Sequence, residues 1–90
     1  MPYIDPESRG DIEPFMRSLV SYVDDQGVTE GELNYIITSL LLSWLAKPNY
    51  KAYNAAIGVL ECVKQELYRR SVAPYEDQKK EENGDVYPTK

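Results

Sequence analysis

Apolar residues recur at spacings of three and four along three stretches of the chain, which is the pattern of amphipathic helices. In the first stretch, 11–23, the spacing runs through Ile12, Phe15, Met16, Leu19, Val20 and Val23. Pro14 lies in the predicted first turn, where its missing N–H costs little, and residues 24–27 supply a stop signal. The preceding residues, 1–10, contain two prolines and a glycine and predict an irregular, extended lead-in.

The second predicted helix begins at a capping box, in which the Thr29 hydroxyl and the Glu32 carboxylate each accept a free backbone N–H. It ends before Pro48. Its main apolar face comprises Leu33, Ile36, Ile37, Leu40, Leu41, Trp44 and Leu45. At 100° per residue, Tyr35 and Leu42 lie almost opposite that face. A helix that is apolar on two sides is usually covered on two sides.

We therefore expect a homo-oligomer, most simply a two-fold dimer, with Tyr35, Leu42 and Leu45 as the interface candidates. The alternative is that the C-terminal tail folds back over this surface through Tyr75 or Tyr87.

The third predicted helix starts after Asn49 as N-cap, runs to about residue 72 and is ended by Pro74. Its core face comprises Tyr53, Ala56, Ile57, Leu60, Val63 and Leu67. Residues 74–90 are mostly polar and charged, so they are expected to form a tail that is loose or docked on the helices. The predicted architecture is all-α, with a three-helix domain at 1–73 and a charged tail at 74–90.

Composition excludes several kinds of chemistry. The 90 residues include no histidine and a single cysteine, Cys62, which removes the common general base, histidine-assisted nucleophiles and cysteine-based zinc sites. No metal, cofactor or enzymatic activity is therefore expected. The net charge of −5 disfavours direct nucleic-acid binding, and the longest apolar run is too short for a membrane span. We expect a soluble protein of a reducing cytoplasm.

A mostly polar stripe runs along the third helix at spacings of four and three. Its members are Tyr50, Asn54, Ile57, Glu61, Lys64 and Tyr68. Such a stripe could bind a small polar ligand through Asn54 and Glu61. The alternative, which we favour, is a solvent-exposed edge in which Glu61 pairs with Lys64 or Gln65 across one turn.

Two further groups are binding candidates. Arg69 and Arg70 are adjacent cations near an aromatic residue, Tyr75, and guanidinium groups suit phosphates or carboxylates. Their alternative role is to complement the C-terminal end of a helix. Asn34 and Thr38 lie one turn apart on the second helix, at the border of its apolar face. Asn34 is expected to form a buried polar link, either to the backbone of residues 1–10 or to Asn54 or Glu61 on the third helix, with a ligand contact as the second choice.

Several sequence words resemble a family of small uncharacterised proteins encoded by bacteriophages and their bacterial hosts. The words are residues 31–38 (GELNYIIT), 57–64 (IGVLECVK), 68–70 (YRR) with 74–77 (PYED), and 82–86 (ENGDV). The likeness covers roughly residues 30–87, and the family carries no activity to transfer.

The leading hypothesis is a non-enzymatic, homo-oligomeric helical protein of phage type that binds a host protein in the bacterial cytoplasm. The second is a sponge for a phosphorylated, nucleotide-like signal, in which Arg69 and Arg70 bind phosphate and Tyr68 or Tyr75 stacks a base. The third is a structural component that only self-associates.

Overall fold

The computed structural model describes residues 4–88, which are helical for most of their length and contain no strand. The helices are α1 (Pro6–Gln26), α2 (Glu30–Trp44), α3 (Tyr50–Leu67) and α4 (Ala73–Asn83), and a π-helical turn (Tyr68–Val72) joins α3 to α4. The all-α prediction is confirmed. The chain divides into two units, Met1–Ala46 with α1 and α2, and Lys47–Lys90 with α3, the π turn and α4.

Helix α1 begins five residues earlier than predicted. Asp5 is its N-cap and accepts the Ser8 N–H at 2.9 Å, and Pro6 occupies the first turn, where no N–H is needed. The expectation of an irregular lead-in over 1–10 is wrong from Pro6 onward because Asp5-Pro6 is itself a helix start. Pro14 consequently lies inside the helix. The helix ends at Gly27, whose φ of 64° is accessible to glycine at little cost.

Helix α2 starts and stops as predicted. The Thr29 N–H donates to Glu32 at 2.9 Å and the Glu32 N–H donates to the Thr29 hydroxyl at 3.1 Å, which completes the capping box. The helix stops shortly before Pro48, which disfavours α geometry in the residue preceding it. Within this unit, α1 and α2 do not pack along each other. As a result, neither helix has a buried side chain among the described residues.

Helix α3 begins at the predicted cap, where the Asn49 side chain accepts the Ala52 N–H at 2.9 Å. The prediction that Pro74 ends the helix is wrong. The helical path continues through the π turn and α4 to Asn83, so residues 74–83 of the predicted tail are helical. This segment was missed because α4 is strongly polar and gives no apolar periodicity. It stops at Gly84, which has a φ of 86°. Ala56 is the one buried side chain among the described residues.

Candidate functional site

The π turn exists because of Pro74. Proline has no N–H, so Arg70 O loses its usual α-helical donor, and the proline ring would collide with that carbonyl in a regular α-helix. The chain widens instead, and the Ala73 N–H donates to Tyr68 O, five residues back. Rare turns of this kind inside helices occur often at functional sites. The turn carries Tyr68, Arg69 and Arg70, three of the residues that the sequence singled out.

The two arginines of the π turn differ in their surroundings. The Arg70 guanidinium lies 3.6 Å from the carboxylate of Glu66, one turn earlier, and both side chains are partly exposed. The Arg69 side chain is exposed and has no hydrogen bond or ion pair within residues 4–88. Because the helix continues past them, the arginines do not cap a helix end. Arg69 is therefore available to an external anion or carboxylate.

The tyrosines on either side of the arginines already have neighbours. The pKa of Tyr68 is raised above its ordinary value by hydrogen bonding to Glu76 and by the negative charge of the Glu76 carboxylate. The ammonium of Lys79 lies 5.6 Å from the centre of the Tyr75 ring, within the range of a cation–π contact. Both rings remain more than half exposed. The π turn and the start of α4 thus present a mixed aromatic and charged surface.

Glu76 and Lys79 are part of this surface, and sequence analysis did not select them. Lys79 follows Tyr75 by four residues, so the pair meets only if 73–83 is a helix. Glu76 follows Tyr68 by eight residues, about two helical turns, so on the observed helical path both lie toward the same side. Because the sequence analysis assigned residues 74–90 to a tail, neither of these two pairs was predicted.

The polar stripe of α3 has the ordinary character of a helix surface. Lys64 lies 3.5 Å from the Glu61 carboxylate, and the Gln65 amide donates to it at 3.2 Å, as the alternative interpretation predicted. Asn54 is exposed on the same helix. The stripe therefore provides solvated ion pairs, with Tyr50 exposed at its start.

The expectation of a buried polar link from Asn34 is wrong. Thr38 donates to the Asn34 side chain at 3.1 Å within α2, and both residues are exposed. Because these two side chains, one turn apart, bond each other, Asn34 does not need a hydrogen-bond partner on another helix. Their remaining hydrogen-bonding capacity is open to solvent or to another molecule.

The apolar residues of α2 are exposed on more than one side. On the side predicted as an interface, Tyr35 is 73% exposed and Leu42 is 66% exposed. On the main face, Leu40 and Trp44 are each more than half exposed. Leu45, just past the helix end, is half-buried. Exposed apolar residues this close together mark an interaction surface.

The described residues contain no group of three or more Cys, Asp or Glu side chains that could hold a metal ion. No helix between residues 4 and 88 combines the length and apolar character needed to cross a membrane. A shallow groove of about 310 Å³ lies beside α1, between Ile4, Ile12 and Met16. Its lining offers few converging polar groups, which a small-molecule site requires.

Comparison with known proteins gives one family. A family described as "Domain of unknown function (DUF6899)" matches residues 1–86, almost the whole chain. No curated protein matches the chain. No solved structure matches it either.

Proposed function

The chain belongs to the DUF6899 family, whose function is unknown, and we propose that it is a non-enzymatic, homo-oligomeric helical protein that binds another protein. In this proposal the partner is a protein of a bacterial host, and the chain is of phage type and acts in the host cytoplasm. Binding takes place through the surface of the π turn and the helices on either side of it.

The observation that carries the proposal is the exposure of tyrosine and arginine side chains along one continuous helical path. Tyr50, Tyr68 and Tyr75 are 82%, 52% and 59% exposed. Arg69, between the last two, has no hydrogen bond or ion pair within the described residues. Tyrosine and arginine are the residues that most often dominate the binding energy of protein interfaces, because each combines a large contact area with hydrogen bonding.

The arrangement of charged residues favours a binding role. The surface around the π turn carries both cations and anions, namely Glu66, Arg69, Arg70, Glu76 and Lys79. Complementary patterns of this kind improve the specificity and rate of protein association more than its affinity. The net charge of −5 disfavours binding to nucleic acid, which calls for a clustered basic surface.

Quantitative affinity capture from a lysate of the bacterial host tests the proposal. The bait variants are wild type, Arg69→Ala with Arg70→Ala, and a control, Lys51→Ala with Lys64→Ala, that removes the same charge from α3. We expect a host protein that the control retains and the arginine variant loses by about 30-fold, the effect of removing one strong interface residue. Equal recovery by all three baits, or by none, would contradict the proposal.

A sponge for a phosphorylated signal is the second candidate, and the absence of an internal partner for Arg69 favours it. Against it, Arg70 pairs with Glu66 and Tyr75 contacts Lys79, so a nucleotide would have to displace internal contacts. The probes are ATP, cyclic AMP and inorganic phosphate, each added during thermal unfolding. If the chain is a sponge, a nucleotide should raise the melting temperature of the wild type, and this increase should be absent in the variant with Arg69→Ala and Arg70→Ala. No shift with any probe would count against this candidate.

A further inference from the structure

Helix α2 has a composition that is unusual for an exposed helix. From Leu33 to Ala46 the chain has no charged residue, and bulky apolar side chains lie on opposite sides of the helix. A helix that is apolar all round is normally covered all round. Its own unit does not supply that cover, because α1 does not pack along α2.

The exposed area is large enough for an additional interface. The chain exposes 8370 Å² for a mass of 10.3 kDa. A compact monomer of this mass exposes about 5,400 Å², and two separate compact domains of half the mass expose about 6,500 Å² together. The excess of about 1,900 Å² over even two separate domains does not depend on how the two units are placed. A stable dimer needs only about 800 Å² from each partner.

We propose that the Tyr35–Leu42 side of α2 packs antiparallel against the same side of a second copy of this chain. The two-fold axis passes between Thr38 and Ser39. In this register Tyr35 lies against Leu42 of the second copy, and the reverse pair forms by symmetry. Thr38 and Ser39 lie close to their own counterparts, and their small side chains let the two helices approach. The pattern is thus complementary to itself, as a two-fold interface requires.

Glycine placement agrees with this register. The register places Gly31, on the Tyr35–Leu42 side of α2, opposite Ala46 of the second copy. A Cβ at Gly31 would meet only the Thr29 hydroxyl, at 3.9 Å, so contacts within the described residues do not explain a glycine there. Close approach of a second helix does.

The inference deepens the oligomeric part of the proposed function and makes no use of the π turn. Its failure is therefore distinguishable from failure of host-protein capture, which the arginine variants measure separately. The two other possible occupants of this side of α2 are the chain's own second unit and a foreign protein, and either would leave the purified chain monomeric.

The test introduces opposite charges at Tyr35 and Leu42 in the full-length protein, and sedimentation equilibrium gives the dimer dissociation constant. We expect Tyr35→Lys and Leu42→Glu each to raise it by about 100-fold, since each dimer then holds two unpaired charges in the contact. The double variant should recover at least about tenfold of that loss, because the register places residue 35 against residue 42 of the second copy. Both residues are exposed, so folding should not change. A monomeric wild type, or a double variant as weak as the single ones, would overturn the proposal.

Disulfide cross-linking tests the register of the two helices independently of the dimer's affinity. In a Cys62→Ser background, Ser39→Cys lies beside the axis and should form disulfide-linked dimers on mild oxidation. The matched control, Ser43→Cys, lies on the same helix but about 90° away from the contact and far from the axis. Equal cross-linking at both positions would contradict this register.

Discussion

Two helical segments, α2 and the path from α3 through the π turn to α4, differ in how their charged residues are distributed. The longer path is lined with charged residues that largely satisfy one another at spacings of three and four, as in Lys64–Glu61, Arg70–Glu66 and Lys79–Glu82. Helix α2 has two acidic residues in its first turn and no charge afterwards. Both leave large apolar side chains exposed. The first segment also carries the charged pairs, whereas we propose that a second copy of the chain covers the second.

Two side chains of equal exposure give the strongest test of this difference. Leu42 on α2 is 66% exposed, and Ile57 on α3 is 65% exposed. If α2 is the surface that self-associates, Leu42→Asp buries a charge in the interface, and we expect the dimer dissociation constant to rise by at least about 100-fold, or about 3 kcal/mol. Ile57→Asp should change it by less than about threefold.

Sedimentation equilibrium measures both variants, and far-UV circular dichroism confirms that each remains helical. Equal weakening by the two substitutions would show that exposure alone, rather than the uncharged surroundings of Leu42, determines association.

The π turn distinguishes the second segment, and Pro74 is its cause. Pro74→Ala restores an N–H to Arg70 O and removes the ring clash, so we expect a regular α-helix from α3 into α4. Helical ellipticity at 222 nm should rise, and the free energy of unfolding should increase by about 1–3 kcal/mol. Dimerisation through α2 should not change. An unaltered melting temperature would mean that the π turn has another cause.

The same substitution tests the proposed function. Straightening the helix moves Arg69 relative to Tyr75, so capture of a host protein should fall even as stability rises. A variant that is more stable and captures equally well would show that the π-turn geometry is not used in binding.

The two segments should also respond to opposite changes of pH. At the start of α2, hydrogen bonds from Thr29 hold the pKa of Glu32 below its ordinary 4.5. The capping box is therefore fully stabilising above that value and is lost as pH falls through the lowered pKa. The contact between Tyr68 and Glu76 raises the pKa of Tyr68 above 10.0, so it is stabilising below pH 10 and is lost as pH rises through the raised value.

Circular dichroism at acid pH, for wild type and Thr29→Ala, checks the first half of this prediction. Absorbance near 295 nm at alkaline pH checks the second half, because it reports tyrosine ionisation. Glu76→Gln should lower the pKa of one tyrosine, and Tyr68→Phe should remove that tyrosine from the titration. Identical alkaline titrations of wild type and Glu76→Gln would contradict the Tyr68–Glu76 contact.

The sequence was sufficient wherever a short-range signal determines the structure. The caps at Thr29 and Asn49 were predicted because each involves hydrogen bonds over three residues. The Glu61 pairs follow from the same spacing rule. The start of α1 was missed although Asp5-Pro6 is a helix-start signal, because apolar periodicity begins only at Ile12.

What the sequence could not give is the outcome of competing long-range effects. Pro74 normally ends a helix, and whether the chain stops or widens there depends on whether the next segment can stay helical. Helix α4 does so without an apolar face. Glu76 in its first turn and Lys80 in its last turn favour the helix dipole, and Lys79 pairs with Glu82 across one turn. The partner of Asn34 was misjudged for a related reason, since a bond to Thr38 within the helix competed with more distant partners.

A native mass spectrum of the full-length protein tests the central claim most directly, because it counts subunits and detects retained small molecules together. The account predicts a dimer, or a larger even-numbered assembly, with no added mass, which converts to monomer in Leu42→Asp and not in Ile57→Asp. A wild-type protein that is monomeric at micromolar concentration would contradict the claim that a second copy covers α2.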